Sequence, residues 1–119
     1  HSSGIGKALL AWYPEDRVRA ILKRKGQEKF TSLTITSESS LLRDLAHARE
    51  RGFAIDDQER AEGMRCIAAP IFNAHGEPVA GLSVSGPAFR VGLSDAARIG
   101  ALVRDAADKV TELTGGVRP

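Results

Sequence analysis

Apolar positions along this 119-residue chain change period twice. Helical spacing of three and four residues holds to about residue 52. Strand-like alternation follows to about residue 86, and helical spacing then returns. In the first block, Gly6-Lys7-Ala8-Leu9-Leu10-Ala11-Trp12 favours helix, and Ser2 or Ser3 stands where a cap belongs. Pro14 disfavours helix at Tyr13 and suits the first position of a second helix, with Glu15 and Asp16 in its first turn. Val18, Ile21 and Leu22 give that helix one apolar face, and Gly26 stops it behind Lys23-Arg24-Lys25. Residues 27–36 read as a loop with one short strand around Phe30 to Ile35. A third helix is capped by Thr36 or Ser37. It buries Leu41, Leu42, Leu45 and Ala48 and ends at Gly52.

Phe53-Ala54-Ile55-Asp56 then reads as a short strand, followed by a charged loop from Asp57 to Gly63. Met64 to Phe72 and Pro78 to Gly86 read as two strands of an antiparallel hairpin around Asn73-Ala74-His75-Gly76-Glu77. Pro70 within the first of them predicts an edge or a bulge. Ser94 is placed to cap a last helix, with Asp95 in its first turn. Its stripe is Ile99, Leu102, Val103, Ala106, Val110 and Leu113, and Gly115-Gly116 ends it before a tail. Helices at both ends and a hairpin between them predict an α+β fold, with helices packed on an antiparallel sheet. The visible strands make a narrow sheet, which missing upstream strands would explain.

Composition narrows the class. Hydrophobic residues are 42% and charged residues 27%, as in a soluble globular domain and unlike a disordered chain. The 17 basic and 15 acidic residues leave a net charge of +2, too weak a field for this chain alone to hold a phosphate backbone. The lone cysteine, Cys66, has no partner for an internal disulfide, which fits a reducing, intracellular setting. No apolar run reaches the roughly 20 residues that span a bilayer.

Alternation in the second hairpin strand puts Ala80, Leu82 and Val84 on a core-like face. Val79, Gly81, Ser83 and Ser85 lie on the other, a small hydroxylated face that suits either solvent or a small polar ligand. Cys66 reads as a small buried hydrophobe, since none of His1, His47 and His75 sits in a motif that pairs it with a base. Gly81-Leu82-Ser83-Val84-Ser85 misses the G-x-S-x-G elbow, and Gly4-Ile5-Gly6-Lys7-Ala8 fails the P-loop pattern. Gly4 to Gly6 still open a helix, where free N–H groups attract a carboxylate or where glycine allows close packing. Asp56-Asp57, Glu59 and Glu62 read by default as an exposed acidic loop, without the spacing of a metal site.

Several blocks together resemble the effector-binding domain of IclR-family bacterial transcription regulators. They are His1-Ser2-Ser3-Gly4-Ile5-Gly6-Lys7-Ala8-Leu9-Leu10-Ala11, Arg51-Gly52-Phe53-Ala54-Ile55-Asp56-Asp57-Gln58-Glu59, Glu62 to Phe72 and Leu82-Ser83-Val84-Ser85-Gly86-Pro87. They stand in family order and at family spacing over nearly the whole chain. The resemblance implies a fold like GAF and profilin domains. It also implies that residues 1–119 are the last two-thirds of an effector-binding domain, with a winged helix-turn-helix expected upstream.

The resemblance further implies a ligand-sensing domain with no catalytic residues, cofactor or metal, binding a small organic acid to control DNA binding by the full-length protein. A 2-oxo acid such as glyoxylate or pyruvate is the best single candidate, although family members also respond to aromatic and sugar acids. By correspondence with the family's glyoxylate-responsive member, the backbone donors are Gly4 and Ile5. The polar side chains are Asp56, Cys66, Ser83 and Ser85, and Met64 forms part of the apolar wall. A carboxylate at Asp56 repels a carboxylate ligand, so Asp56 should be protonated or accept from a ligand hydroxyl. The expected partners are the organic acid, DNA through the upstream domain only, and further copies of the chain in a homodimer or homotetramer. The expected location is cytoplasmic, without a membrane. The competing readings are a hydrolase using Cys66 or Ser83, and a ligand-free dimerisation module.

Overall fold

The structure is a computed structural model that describes residues 3–88 and 90–119, with Leu93 described by its backbone alone. Its elements in chain order are α1 (Gly4–Leu10), α2 (Glu15–Lys25), α3 (Glu38–Arg51), β1 (Ala54–Asp57), β2 (Met64–Phe72), β3 (Pro78–Pro87), a 3-10 turn (Leu93–Asp95) and α4 (Ala96–Leu113). The cap of α1 is Ser3, whose Oγ accepts the Gly6 N–H at 2.9 Å. Ser2, the alternative cap, and His1 lie outside the described residues. Pro14 is the N-cap of α2, one position earlier than expected, and Gly26 (φ 77°) ends that helix. Ser37 caps α3, and Gly52 closes it in the left-handed conformation (φ 86°) that favours glycine.

The three strands form an antiparallel sheet in the order β1-β2-β3. The register pairs Asp56 with Cys66 and Cys66 with Ser85, and likewise Ala54 with Ala68 and Ala68 with Ser83. Helices cover both faces, so the α+β fold class is as expected. On one face Ala54 and Ala68 pack with Ala8, Ala11, Val18, Leu22, Leu41, Leu45 and Ala48 from α1 to α3. On the other, Ile67 and Ala69 pack with Phe53, Val91, Ala96, Val103 and Ala107, largely from α4.

Five expectations are corrected. Residues 30–35 form no strand, because Thr31 and Thr34 turn their hydroxyls onto the Gln58 and Glu59 carbonyls and tie this loop to the β1–β2 connection. Pro70 stands inside the central strand, opposite Gly81. It is tolerated there because β1 has already ended at the Ala54–Ala68 pair, and the irregularity falls later, between Ile71 and Phe72. Ser94 does not cap α4; the chain enters through the 3-10 turn, and Asp95 is the N-cap without a side-chain bond. The stripe of α4 is also rotated. Its buried residues are Ala96, Gly100, Val103, Ala107 and Thr111, whereas Leu102 and Leu113 stand 61% and 76% exposed. The face of β3 expected to be core is likewise half uncovered: Leu82 packs inward, and Val84 is exposed. The terminal tail is tied down, with Val117 N–H donating to the Asn73 carbonyl at 2.9 Å.

Candidate functional site

The register sets Asp56, Cys66 and Ser85 side by side across the three strands, about 5 Å apart. Alternation then puts Ser83, beside Ala68, on the same face. The start of α1 lies over this row. A Cβ at Gly4 would stand 2.7 Å from Cys66 Sγ, and a Cβ at Gly81 would stand 2.8 Å from Ile5 Cγ2. Glycine at both positions therefore lets the helix sit directly on the sheet. Ser3 takes the Gly6 N–H, so the N–H groups of Gly4 and Ile5 are the first-turn donors that neither the cap nor the helix uses. Ser83 and Cys66 are half-buried, while Ser85, Met64 and Ile5 are exposed, so the shelf is open at one end.

The acidic stretch expected to be exposed is so only in part: Glu62 is exposed and Asp57 half-buried, whereas Asp56 on β1 and Glu59 in the β1–β2 connection are buried. Asp56 and Glu59 are only 7% and 4% exposed. Asp56 Oδ1 accepts the Glu59 N–H at 2.8 Å. The Glu59 carboxylate accepts the Asp57 N–H at 3.1 Å and the Lys7 ammonium at 2.8 and 3.1 Å. Lys7 is fully buried and also pairs with Asp44 of α3 at 2.6 Å. Between them sits Gln58, in the left-handed region at φ 58° and held by Thr31. Burial holds the carboxyls of Asp56 and Glu59 above the ordinary range. The backbone N–H groups at Asp56 and the Lys7 charge at both act in the opposite sense. Removing one partner from such a buried pair typically costs about 3–5 kcal/mol.

On the opposite face, Arg65 is buried and joins two segments. It bonds Asp57, its cross-strand neighbour, at 2.7 and 2.9 Å, and the carbonyls of Ala88 and Val91 beyond β3. The residues expected at the site thus converge on one face. Lys7, Asp44 and Arg65 were not among them.

Of the three histidines weighed as bases for Cys66, His47 and His75 are exposed on α3 and in the hairpin turn, and His1 lies outside the described residues. No group of three or more His, Cys, Asp or Glu among the described residues is arranged to hold a metal. No helix among them is long and apolar enough to cross a membrane. Two open pockets lie beside this face, the second of them also lined by Ser83. One cavity of about 410 Å³ sits between Trp12, Arg17 and the hairpin turn, and an apolar groove of about 280 Å³ runs between β3 and α4.

A family model described as bacterial transcriptional regulator IclR C-terminal matches residues 1–112. The transcriptional repressor IclR of Escherichia coli K12 is 46% identical over 118 residues, which are 99% of this chain and 43% of the repressor. The chain therefore spans less than half the length of that relative. The crystal structure of the C-terminal domain of the Escherichia coli regulator KdgR superposes with a TM-score of 0.86 at 40% identity, covering 96% of this chain and 70% of that domain. The inducer-binding domain of a double mutant of Acinetobacter PobR, in complex with 3-hydroxybenzoic acid, matches with a TM-score of 0.86 at 26% identity, covering 95% and 65%.

Proposed function

The chain belongs to the IclR family of bacterial transcriptional regulators as its C-terminal domain, and from that premise we propose that it senses a small organic acid for a longer, DNA-acting protein. The acid lies on the face formed by Gly4, Ile5, Asp56, Met64, Cys66, Ser83 and Ser85. One observation carries this reading: the start of α1, with two N–H donors that have no partner among the described residues, stands over a row of polar side chains drawn from all three strands. Helix-start donors and hydroxyls suit a carboxylate and its neighbouring oxygen. The acid bound to the PobR domain is a carboxylic acid as well. A short 2-oxo acid fits the small side chains of this face, so glyoxylate and pyruvate are the first ligands to test.

Isothermal calorimetry on the full-length protein tests the assignment. Ser83→Ala and Ser85→Ala should each weaken binding by about 1–3 kcal/mol while the fold survives. Unchanged affinity in both variants sinks it. The pH dependence has a definite sign. A protonated Asp56 donates to the ligand carboxylate, whereas an ionised Asp56 repels it. Affinity should therefore fall as pH rises through the raised range of Asp56.

The same reading extends to the domain. Residues 1–119 are the later part of an effector-binding domain in a cytoplasmic regulator, with a winged helix-turn-helix upstream and assembly as a dimer or tetramer. The open edge of β3 and the exposed flank of α4 take an upstream strand of that domain. This accords with a chain that covers 70% of the KdgR C-terminal domain.

A further inference from the structure

One buried titratable group has no part in the contacts proposed above, namely Lys7. Its ammonium is bonded to both Glu59 oxygens and to Asp44. Glu59 in turn donates its N–H to Asp56 Oδ1, so only one residue stands between Lys7 and Asp56. Lys7 is also one helical turn from Gly4, whose α-carbon faces Cys66. A single side chain thus joins the helix that carries Gly4 and Ile5, the connection that follows Asp56 and β1, and α3. Every buried side-chain nitrogen and oxygen among the described residues has a partner, so the cluster is a closed network.

We propose that Lys7 is a positioning residue for the acid site: through Glu59 it fixes where Asp56 points, and its charge sets the field in which Asp56 meets the ligand. The inference rests on reading this face as the acid site. Among the described residues, the charged groups around Asp56 are Lys7 from α1, Asp57 and Glu59 from its own segment, Asp44 from α3 behind Lys7, and Arg60, whose backbone N–H donates to Asp56 while its guanidinium lies over the Phe30 ring at 4.1 Å. Its neighbours Cys66 on β2 and Ser85 on β3 carry no like charge. Arg65 is engaged with Asp57 on the other face.

The test is the titration of Asp56, followed by carboxyl carbon NMR in the full-length protein. Lys7→Met removes the cation and should move the Asp56 midpoint up by about half a pH unit or more. Glu59→Gln and Asp44→Asn each remove an anion and leave Lys7 less neutralised, so both should move it down. All three variants weaken the same ion-pair cluster, and a purely structural role would not give shifts of opposite sign. Asp44 is the most exposed member of the cluster, so Asp44→Asn keeps the test decisive if Lys7→Met does not fold. Shifts of the same sign, or no shift, overturn the proposal. Glyoxylate calorimetry against pH provides the second arm: the pH at which affinity falls should move with the Asp56 midpoint. If the unsubstituted protein binds no glyoxylate while the midpoints shift as stated, the acid-site reading fails and the Lys7–Asp56 coupling stands.

Discussion

At Gly4 the first helix meets the sheet closely, and the space of its missing side chain is taken by Cys66. A methyl group there meets Cys66 Sγ at 2.7 Å, while its next neighbours, Cys66 Cβ and Ala68 Cβ, stand at 3.4 and 3.5 Å. The sulfur alone causes the clash. Gly4→Ala should therefore destabilise the protein by about 1–3 kcal/mol, a typical overpacking cost. Cys66→Ala in the same chain should remove most of that penalty. Urea denaturation of the four members of the double-mutant cycle measures the coupling. Additive penalties would mean that α1 does not rest on Cys66. The spacing of Gly4 in a glycine-rich helix start leaves both an anion seat and close packing open. The structure shows close packing at Gly4 itself, which sets the start of α1 over the strand row.

At the scale of elements, the helices show what patterning makes legible and what it conceals. On α1 the buried positions are Gly4, Lys7, Ala8 and Leu10, with Ala11 just beyond the last turn. On α3 they are Leu41, Leu45 and Ala48, with Asp44 half-buried among them. Residues 4, 7, 8 and 11, and again 41, 44, 45 and 48, follow one spacing of i, i+3, i+4 and i+7. Each helix therefore carries one charge on its apolar stripe, of opposite sign, and a buried charge requires a partner. That signal was present in the sequence. It is hidden when charged residues are read as solvated by default, and for the same reason Asp56 and Glu59 looked exposed. The shared face of Ser83 and Ser85 was legible, because a period of two assigns faces within one strand without knowledge of partners; Cys66 joins that row only through the register of β2 with β3. The α4 stripe was not, because a helix rich in Ala, Val, Leu and Ile offers two apolar faces and the choice depends on what covers them. Phe53 decides it. Its ring lies where a Cβ at Gly100 would be, at 2.3–2.5 Å. Helix propensity alone favours Gly100→Ala by about 1 kcal/mol. The clash should outweigh it, leaving a net loss of about 1–3 kcal/mol in chemical denaturation. A gain in stability would mean that Phe53 does not hold α4 in this rotation.

For the molecule as a whole, one patch of uncovered apolar surface lies between β3 and α4. Val84 on β3 and Leu102 on α4 are 44% and 61% exposed, and they flank the groove formed with Leu82, Ile99, Val103 and Ala106. β3 is ten residues long with no strand beyond it among the described residues, and a long apolar edge of this kind pairs with further chain when it can. An upstream strand laid along β3 would bury both residues, and burying one Val or Leu contributes about 1.5–3 kcal/mol. The substitution that reads this is Leu102→Glu. In residues 1–119 alone the charge meets water, so stability should change by no more than about 0.5 kcal/mol, as at other surface positions. In the full-length protein the same charge would be buried without a partner, and the loss should reach about 2 kcal/mol or more. Denaturation of both lengths, at two protein concentrations, separates the possible coverings. A penalty confined to the longer protein and independent of concentration identifies the upstream strand. A penalty that grows with concentration in residues 1–119 points to a second copy on this face. A small effect at both lengths would mean that the face is left to solvent, and the sheet would then end at β3.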